Sequence, residues 1–433
     1  MKNYVKISNI IKKFNKVITV QGDKSISIRW ALMASQAVGK SRAKNLLKSE
    51  DVESTLNALK KIGVKVFKNQ KYCEIIGKGL NSYNFKNNTT IDAGNSGTLA
   101  RLILGLLSGY SRSVKIKGDK SLSRRDFSRI IKPLNIFGVK IKSKNNKLPV
   151  TLKGTKFLRP IYFDEKKGSA QVKSCIMLAS LNAPGITKIK CVNSRDHTER
   201  LFKYLKIPIK ILKKKNFDLI EIYGKKNYMA FNYNIPSDIS SSAFFIVLTI
   251  LSKNSHLIIK NININPSRTG SIKILNKMGA KIKFKNIKYY KGEKVADIYV
   301  KSAKSLKGIN SPKKLNSSAI DEFLILFLAA AKAKGVSYFN NISELNKKES
   351  PRLKIASKIL NKMGIKTKLF SDSIKIYGNP SLKLYKKITI KNFMKDHRVF
   401  MMSVIAALSF GGEWKIYNKN CVSSSFPSFI KIA

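Results

Sequence analysis

A pattern of apolar and polar positions recurs along the chain and closes each time on a similar phrase. The phrases are L-K-K-I-G-V-K-V ending at Val66, L-N-I-F-G-V-K-I ending at Ile141, L-N-K-M-G-A-K-I ending at Ile282 and L-N-K-M-G-I-K-T ending at Thr367. A degenerate copy, F-K-Y-L-K-I-P-I-K-I, ends at Ile211. Each phrase has the apolar spacing of a helix, a glycine suited to the position after it, and then the start of a strand. The pattern predicts an internal repeat of about 70 to 85 residues.

The repeat predicts an α/β (α+β) protein. Short β-rich runs such as V-K-I-K-G-D and H-L-I-I-K-N-I-N-I lie between the predicted helices, so each unit reads strand–helix–strand–helix–strands. Six units fill 433 residues, which exceeds one ordinary core, and three units per domain put a boundary near residue 238. The apolar runs 243–251 and 323–331 are too short to span a bilayer and predict buried helices.

Arginine is scarce in this chain although the chain is strongly basic. The net charge is +61, yet only 13 of the 85 basic residues are arginine, and the lysines are spread along the whole chain. A nucleic-acid-binding protein concentrates arginine in patches, so we interpret the charge as a drift in residue usage. Four cysteines lie far apart and predict buried, reduced thiols. The absence of a signal-peptide pattern favours a cytoplasmic protein.

Several polar stretches in the first half have the character of anion sites. Q-G-D-K-S-I-S-I-R, ending at Arg29, places two cations and two hydroxyls at the start of an apolar helix, where an anion would be stabilised. We interpret three further stretches as candidates of the same kind: D-A-G-N-S-G-T-L-A-R-L at 92–102, G-D-K-S-L-S-R-R at 118–125 and the small polar helix start G-S-A-Q-V-K-S at 168–174. In S-R-D-H-T-E-R at 194–200, Arg195 and His197 taken alone predict surface residues of a capped helix.

The second half adds N-P-S-R-T-G at 265–270 and three stretches with carboxylates. Asp321 and Glu322 precede an apolar helix, where capping explains one carboxylate. K-K-E-S-P-R-L-K at 347–354 predicts, on its own, a helix start with an exposed ion pair. K-D-H-R-V-F-M-M at 395–402 puts a histidine between an acid and an arginine.

Together, and in this order from about residue 20 to the end of the chain, these stretches resemble the EPSP synthase family. The motifs G-D-x-S-L and S-A-Q-V-K-S resemble those of its class II bacterial subgroup. The resemblance implies the two-domain enolpyruvyl transferase fold, three βαβαββ units per domain, with the active site in the interdomain cleft. It implies an N-terminal domain at 22–237, mainly for shikimate-3-phosphate, and a C-terminal domain of 1–21 plus 238–433. The implied reaction transfers the enolpyruvyl group of phosphoenolpyruvate to the 5-hydroxyl of shikimate-3-phosphate by addition and elimination.

The resemblance also implies roles for individual residues. The implied catalytic residues are Asp321, Lys348, Glu349, Lys24 and His397. The implied contacts of shikimate-3-phosphate are Lys24, Ser25, Arg29, Ser169, Ala170, Gln171, Ser194, Arg195, Asp321 and Lys348. The implied contacts of phosphoenolpyruvate are Lys24, Asn95, Gly97, Thr98, Arg125, Gln171, Glu349, Arg352 and Arg398. It implies no metal, no organic cofactor, no specific nucleic-acid partner and a monomer.

Three positions depart from the family pattern. Pro351 stands where an acidic residue is usual and could tilt Arg352; Ser424 and Ser121 stand where the family has a lysine and an arginine. We therefore assign no contact to Ser424 and give the arginine's role to Arg125.

The small Gly97 predicts that glyphosate inhibits the protein in competition with phosphoenolpyruvate. Two alternatives remain: a UDP-N-acetylglucosamine enolpyruvyl transferase, whose mobile reactive cysteine we do not find, and a basic nucleic-acid-binding protein.

Overall fold

A computed structural model describes residues 3–433 and divides them into two compact units. Unit 1 runs up to Gln21 and includes residues 237–288 and 294–433. Unit 2 comprises residues 22–236 together with the short segment 289–293. Nothing in the sequence indicates that 289–293 belongs with the first half of the chain. Among the described residues, no helix is long and apolar enough to cross a membrane.

The helices and strands follow one another in the repeating order that the sequence predicts. The first two strands are β1 (Tyr4–Ile7) and β2 (Asn15–Ile18). The elements of unit 2 are then α1 (Lys24–Ala34), β3 (Val38–Lys44), α2 (Glu50–Lys61), β4 (Lys65–Lys68), β5 (Tyr72–Lys78), β6 (Thr89–Asp92), α3 (Gly97–Leu107), β7 (Ser113–Lys117), α4 (Lys120–Ser123), α5 (Ser128–Ile136), β8 (Lys140–Ser143), β9 (Val150–Lys153), β10 (Tyr162–Glu165), α6 (Ala170–Ser180), β11 (Ile186–Val192), α7 (His197–Tyr204), β12 (Ile209–Lys213), β13 (Phe217–Tyr223) and β14 (Tyr233–Asn234).

The second half continues the same alternation. Its elements are α8 (Ile239–Leu251), β15 (His256–Asn263), α9 (Gly270–Lys277), β16 (Lys281–Tyr290), β17 (Glu293–Lys301), α10 (Asn316–Ala319), α11 (Phe323–Ala331), β18 (Gly335–Phe339), α12 (Arg352–Lys362), β19 (Thr367–Leu369), β20 (Ile374–Gly378), β21 (Leu384–Ile390), α13 (His397–Phe410), β22 (Gly411–Tyr417) and α14 (Phe429–Ile432). Short 3-10 helices cover Pro266–Arg268, Lys313–Leu315, Ser343–Lys347 and Lys419–Ser424.

In the described part of the chain, each unit contains three small sheets; all are mixed except β18-β20-β19, which is antiparallel. In unit 2 the strand orders are β14-β3-β5-β4, β6-β7-β9-β8 and β10-β11-β13-β12, each with one parallel pair followed by antiparallel pairs. Unit 1 has β16-β17-β15-β2, β18-β20-β19 and β1-β22-β21. Because β1 pairs with β22 and β2 with β15, the described start of the chain completes sheets formed by the second half.

The predicted helix–glycine–strand junctions are confirmed. Gly63, Gly138, Gly279 and Gly364 all have a positive φ directly after α2, α5, α9 and α12. Only glycine adopts this conformation without steric cost, which explains the recurring phrase. In the degenerate copy after α7, Lys206 takes the left-handed conformation itself, with φ of 53°.

The two longest apolar runs form buried helices, as predicted. Every residue of α8 and of α11 is buried, and both helices lie in the core of unit 1. The thiol prediction holds for Cys73, Cys175 and Cys191, where burial raises the pKa to about 11, 12 and 12 respectively. Cys421 departs from it because its side chain is only partly covered.

Candidate active site

Three helices of unit 2 begin with the same local device. Asp23, Ser96 and Ser169 each occupy the N-cap, and each side chain accepts a hydrogen bond from the backbone N–H three residues later. The N-cap satisfies one of the unpaired donors at a helix start, and the remaining N–H groups keep a partial positive charge. The polar stretches that the sequence singled out therefore do begin helices, at α1, α3 and α6.

Side chains bring the starts of these helices together. Gln171, in the first turn of α6, donates to Thr98 Oγ1 of α3 at 3.0 Å and accepts from Arg101 Nη1 at 3.0 Å. Arg29 of α1 donates to Ser174 Oγ of α6 at 3.0 Å. Three helix N-termini thus surround one region of unit 2, a favourable environment for a phosphate or carboxylate.

Lys24 and Arg29 have different surroundings on α1. The Lys24 Nζ lies 3.0 Å from Asp51 Oδ2 at the start of α2, and the lysine side chain remains 22% exposed. Arg29 is buried, and its guanidinium also donates to Thr198 Oγ1 at 2.8 Å and to the Ser25 carbonyl at 3.1 Å. Ser25 itself is half-buried.

The glycine-rich stretch before α3 places Asn95 between two partners. Its amide donates to Asp119 Oδ2 at 2.6 Å and accepts from Arg125 Nη2 at 3.3 Å. Gly97 is crowded by cations: a Cβ built there would lie 2.7 Å from Arg101 Nη1 and 2.8 Å from Arg125 Nη1. The structure thus groups Asn95, Gly97 and Arg125.

The remaining candidates of unit 2 lie at the starts of α6 and α7. Ser169 and Ala170 are half-buried at the first turn of α6. Ser194 and Arg195 precede α7, and the Ser194 Oγ is buried without a hydrogen-bond partner in the described part of the chain. The prediction of a surface His197 is wrong: its ring is buried, and its Nδ1 lies 2.6 Å from Glu293 Oε1.

Arg352 is the centre of the candidate cluster in unit 1. Its side chain is 1% exposed. The guanidinium donates two hydrogen bonds to the Asp396 carboxylate, from Nε at 2.9 Å and from Nη2 at 3.2 Å. Burial alone would lower the pKa of Arg352, but Asp396 and Glu349 raise it above its ordinary value. Burial alone would raise the pKa of Asp396, but Arg352 holds it below its ordinary value. The exposed ion pair expected from this stretch is therefore wrong.

Three further charged groups surround this arginine. Arg352 Nη2 also donates to Glu349 Oε2, and Asp321 Oδ1 lies 3.8 Å from Arg352 Nη1. Lys348 Nζ donates to the same Asp321 oxygen at 3.2 Å. The structure thus brings Asp321, Lys348, Glu349 and Arg352 together. Pro351 occupies the N-cap of α12, where a missing N–H costs little.

The Asp-His-Arg stretch begins α13. Asp396 is the N-cap and accepts from the Arg398 backbone N–H at 2.9 Å, while His397 Nδ1 lies 3.4 Å from Ser424 Oγ. Arg398 is buried, and its Nη1 has no hydrogen-bond partner in the described part of the chain. A buried cationic donor without a partner among the described residues is costly, which makes this position a candidate for binding an anion.

Sequence reasoning missed several residues that hold the candidates in place. Asp51 pairs with Lys24, Asp119 with Asn95, and Asp396 with Arg352. Asp119 and Asp396 stand inside stretches that the sequence singled out, and their N-cap position was the available signal. The capping offered for one of the two carboxylates before α11 is not made by Glu322, whose buried carboxylate accepts from Ser240 Oγ instead.

Comparisons with known proteins agree along almost the whole chain. The family model for EPSP synthase (3-phosphoshikimate 1-carboxyvinyltransferase) matches residues 8–432. A 3-phosphoshikimate 1-carboxyvinyltransferase of Ruthia magnifica is 40% identical over 98% of this chain and 96% of the relative. One from Thermodesulfovibrio yellowstonii is 40% identical over 98% and 99%.

Solved structures show the same fold. An EPSP synthase from Acinetobacter baumannii superposes with a TM-score of 0.86 at 35% identity, covering 99% of this chain and 97% of that one. An enolpyruvyl transferase from Streptomyces tendae has a TM-score of 0.75 at 13% identity, covering 99% and 96%, and bears on the fold alone.

Proposed function

The chain belongs to the EPSP synthase family, and we propose that it transfers the enolpyruvyl group of phosphoenolpyruvate to the 5-hydroxyl of shikimate-3-phosphate, releasing phosphate. The products would be 5-enolpyruvylshikimate-3-phosphate and inorganic phosphate, a step toward chorismate and the aromatic amino acids. The observation that carries the residue roles is the buried Arg352, surrounded by Asp321, Lys348 and Glu349. This arrangement combines a forked cation with a lysine and two carboxylates, the groups that an addition–elimination reaction of an anionic alkene requires.

Unit 2 would bind shikimate-3-phosphate. The starts of α1 and α6 offer hydroxyls and backbone N–H groups, and Arg29 adds a forked cation that suits a phosphate or carboxylate. Lys24 lies in the same first turn of α1 and would reach both substrates. The residues proposed to contact shikimate-3-phosphate in this unit are Lys24, Ser25, Arg29, Ser169, Ala170, Gln171, Ser194 and Arg195.

Phosphoenolpyruvate would bind to cations from both halves of the sequence. In unit 2, Arg125 stands beside Gly97 with Asn95 and Thr98 nearby. In unit 1, Arg352 and Arg398 are buried at the starts of α12 and α13. The Arg398 Nη1 donor, which lacks a hydrogen-bond partner in the described residues, supports a role in holding an anion.

The chemistry would proceed in two stages through a tetrahedral ketal. Asp321 would contact the shikimate 5-hydroxyl and accept its proton as the oxygen attacks C2 of phosphoenolpyruvate, while C3 takes up a proton from the acid of the pair described next. Elimination then removes a proton from C3 and breaks the C–O bond to phosphate. Lys348 and Glu349 would serve as the acid and base of these transfers, with His397 supporting them.

Phosphate release tests this function directly. Purified protein should release phosphate only when shikimate-3-phosphate and phosphoenolpyruvate are both present, and each is omitted in turn as the control. UDP-N-acetylglucosamine replaces shikimate-3-phosphate in a third arm, where no release is expected. Release with the sugar nucleotide alone, or no release with folded protein, would contradict the proposal. Gel filtration of the same preparation checks the proposed monomer, and fractionation of the source cells checks the proposed cytoplasmic location.

Replacing Gly97 by alanine should weaken inhibition by glyphosate more than it weakens use of phosphoenolpyruvate. The new methyl group would press on the Arg101 and Arg125 guanidinium groups, 2.7 and 2.8 Å from the built Cβ. Glyphosate is larger than phosphoenolpyruvate, so a shifted Arg125 should cost it about tenfold in its inhibition constant, or about 1.4 kcal/mol. Inhibition kinetics against phosphoenolpyruvate measure this, and the KM for phosphoenolpyruvate of the same variant is the control. The prediction would be refuted if glyphosate did not inhibit the unmodified protein.

A further inference from the structure

Arg29 is held by side chains from two helices other than its own. Its Nε donates to Thr198 Oγ1 at 2.8 Å, and its Nη2 donates to Ser174 Oγ at 3.0 Å. The two hydroxyls are themselves hydrogen-bonded, with the oxygens 2.7 Å apart. All three side chains are buried, so the guanidinium plane is fixed by a closed triangle of polar contacts.

A buried ion pair lies next to the two hydroxyls and connects their helices. Lys173 and Glu199, the immediate neighbours of Ser174 and Thr198, form a buried ion pair that joins α6 to α7. Burial alone would lower the pKa of Lys173, but Glu199 raises it above its ordinary value. This pair fixes the register between the helices and therefore the separation of the two hydroxyls that hold Arg29.

A second contact supports the start of α7. The Glu293 carboxylate accepts a hydrogen bond from His197 Nδ1, at 2.6 Å, and both side chains are buried. Glu293 belongs to the segment 289–293 at the tip of the β16–β17 hairpin, which clusters with unit 2. Two further bonds attach this tip, from Arg200 Nη1 to the Gly292 carbonyl at 3.0 Å and from the Tyr233 hydroxyl to the Lys291 carbonyl at 3.3 Å. His197 directly precedes Thr198. By holding His197, the hairpin tip therefore also helps to fix the position of the Thr198 hydroxyl, which accepts from Arg29.

We infer that Thr198 and Ser174 are positioning residues that orient Arg29 toward shikimate-3-phosphate, and that Glu293 supports them through His197. The inference deepens the proposed function and rests on it. An arginine recognises a phosphate or carboxylate through the direction of its N–H fork, so a rotated guanidinium loses binding although its charge remains. The hydroxyls do not touch reacting atoms, and their loss should therefore weaken binding of one substrate rather than slow the chemical step.

The first test removes one hydroxyl without changing side-chain shape. Thr198→Val should raise the KM for shikimate-3-phosphate by about 10-fold or more, since hydrogen bonds to charged groups have this weight. The kcat and the KM for phosphoenolpyruvate should stay within about 3-fold of wild type. Thr198→Ser, which keeps the acceptor, should restore the wild-type KM.

A matched control exists in unit 1. Thr367 Oγ1 and Ser357 Oγ form the same kind of hydroxyl pair, also 2.7 Å apart. Thr367→Val removes one member of that pair outside the proposed site and should leave both KM values unchanged. A Thr198→Val enzyme with the wild-type KM, or one in which both KM values rise equally, would overturn the inference while leaving the function intact.

The second test examines the hairpin tip. Glu293→Gln should raise the KM for shikimate-3-phosphate, and its effect should be less than additive with that of Thr198→Val, because both act through Arg29. Asp297→Asn is the control: it lies on the same hairpin and accepts from Lys260 and from the Asn261 N–H, away from the tip. Full additivity, or an equal effect of Asp297→Asn, would rule out this part of the proposal.

A third measurement does not depend on turnover. With only 13 arginines in the chain, labelling with 15N-arginine allows the Arg29 Nε–H to be assigned by its loss in Arg29→Lys. This proton should exchange slowly in wild type and at least about 10-fold faster in Thr198→Val. Unchanged exchange would contradict the positioning role. Altered exchange in a protein that releases no phosphate would instead place the failure with the proposed function.

Discussion

Glu349→Gln is expected to lower kcat by about 10³-fold while the KM values change little, because general acid–base groups contribute roughly 10² to 10⁴ to the rate. Glutamine keeps the size of the side chain and an oxygen that can accept the hydrogen bond now made by Arg352. It cannot exchange a proton with the C3 atom of phosphoenolpyruvate. Steady-state phosphate release, with each substrate varied in turn, measures the effect.

Glu344→Gln supplies the matched control for this change. Glu344 lies in the 3-10 helix just before Lys348, and its carboxylate is exposed and 3.4 Å from Lys347 Nζ. Exposed ion pairs contribute about 0 to 1 kcal/mol, so this variant should keep wild-type kcat and stability. If Glu349→Gln kept kcat within about fivefold of wild type, Glu349 could not be the acid or base of the reaction.

The sequence predicted the repeat well because its signal is local. A glycine after an amphipathic helix requires a positive φ, and that requirement does not depend on distant residues. Gly63, Gly138, Gly279 and Gly364 therefore marked their junctions correctly. The buried helices α8 and α11 were predicted equally well, because a long, mostly apolar run in a folded protein is seldom exposed to solvent.

The burial of charged residues could not be predicted in the same way. The short spacing from Glu349 to Arg352 is typical of an exposed helix pair, and the sequence does not show that the distant Asp396 also compensates the buried arginine. His197 shows the same limit, because its partner Glu293 lies 96 positions away. Resemblance to the family supplied the roles of these residues, whereas their partners became visible only through tertiary contacts.

The side chains that support the site also escaped sequence reasoning. Thr198 and Asp51 belong to types that are common on helix surfaces, and nothing local distinguishes them. Asp51 looks like an ordinary acidic residue in the first turn of α2, yet its carboxylate is nearly buried and holds Lys24. Such residues are found by asking what each buried polar atom contacts.

Asp396→Asn should be the most destabilising single replacement among the site residues. Asparagine keeps the shape, can still cap α13 and can still accept from Ser350 Oγ, so the change removes mainly the charge that compensates Arg352. Leaving a buried charge without its partner costs about 3 to 5 kcal/mol. For a unit of this size we expect the melting temperature to fall on the order of 10 °C. Glu413→Gln, at an exposed pair with Lys387, is the control and should change little.

The pH dependence of this effect has a definite sign. Arg352 lowers the pKa of Asp396 in the folded protein, so the carboxylate contributes stability above its ordinary pKa and loses that contribution as pH falls through the lowered value. The difference in melting temperature between wild type and Asp396→Asn should therefore be constant near neutrality and narrow only below about pH 4. Replacing both partners, as Arg352→Met with Asp396→Asn, should recover part of the stability, because no guanidinium is then buried without the Asp396 charge and asparagine still caps α13. Phosphate release should remain lost, since Arg352 is the proposed contact of phosphoenolpyruvate. Recovered activity in the double variant would show that the buried pair serves the fold alone.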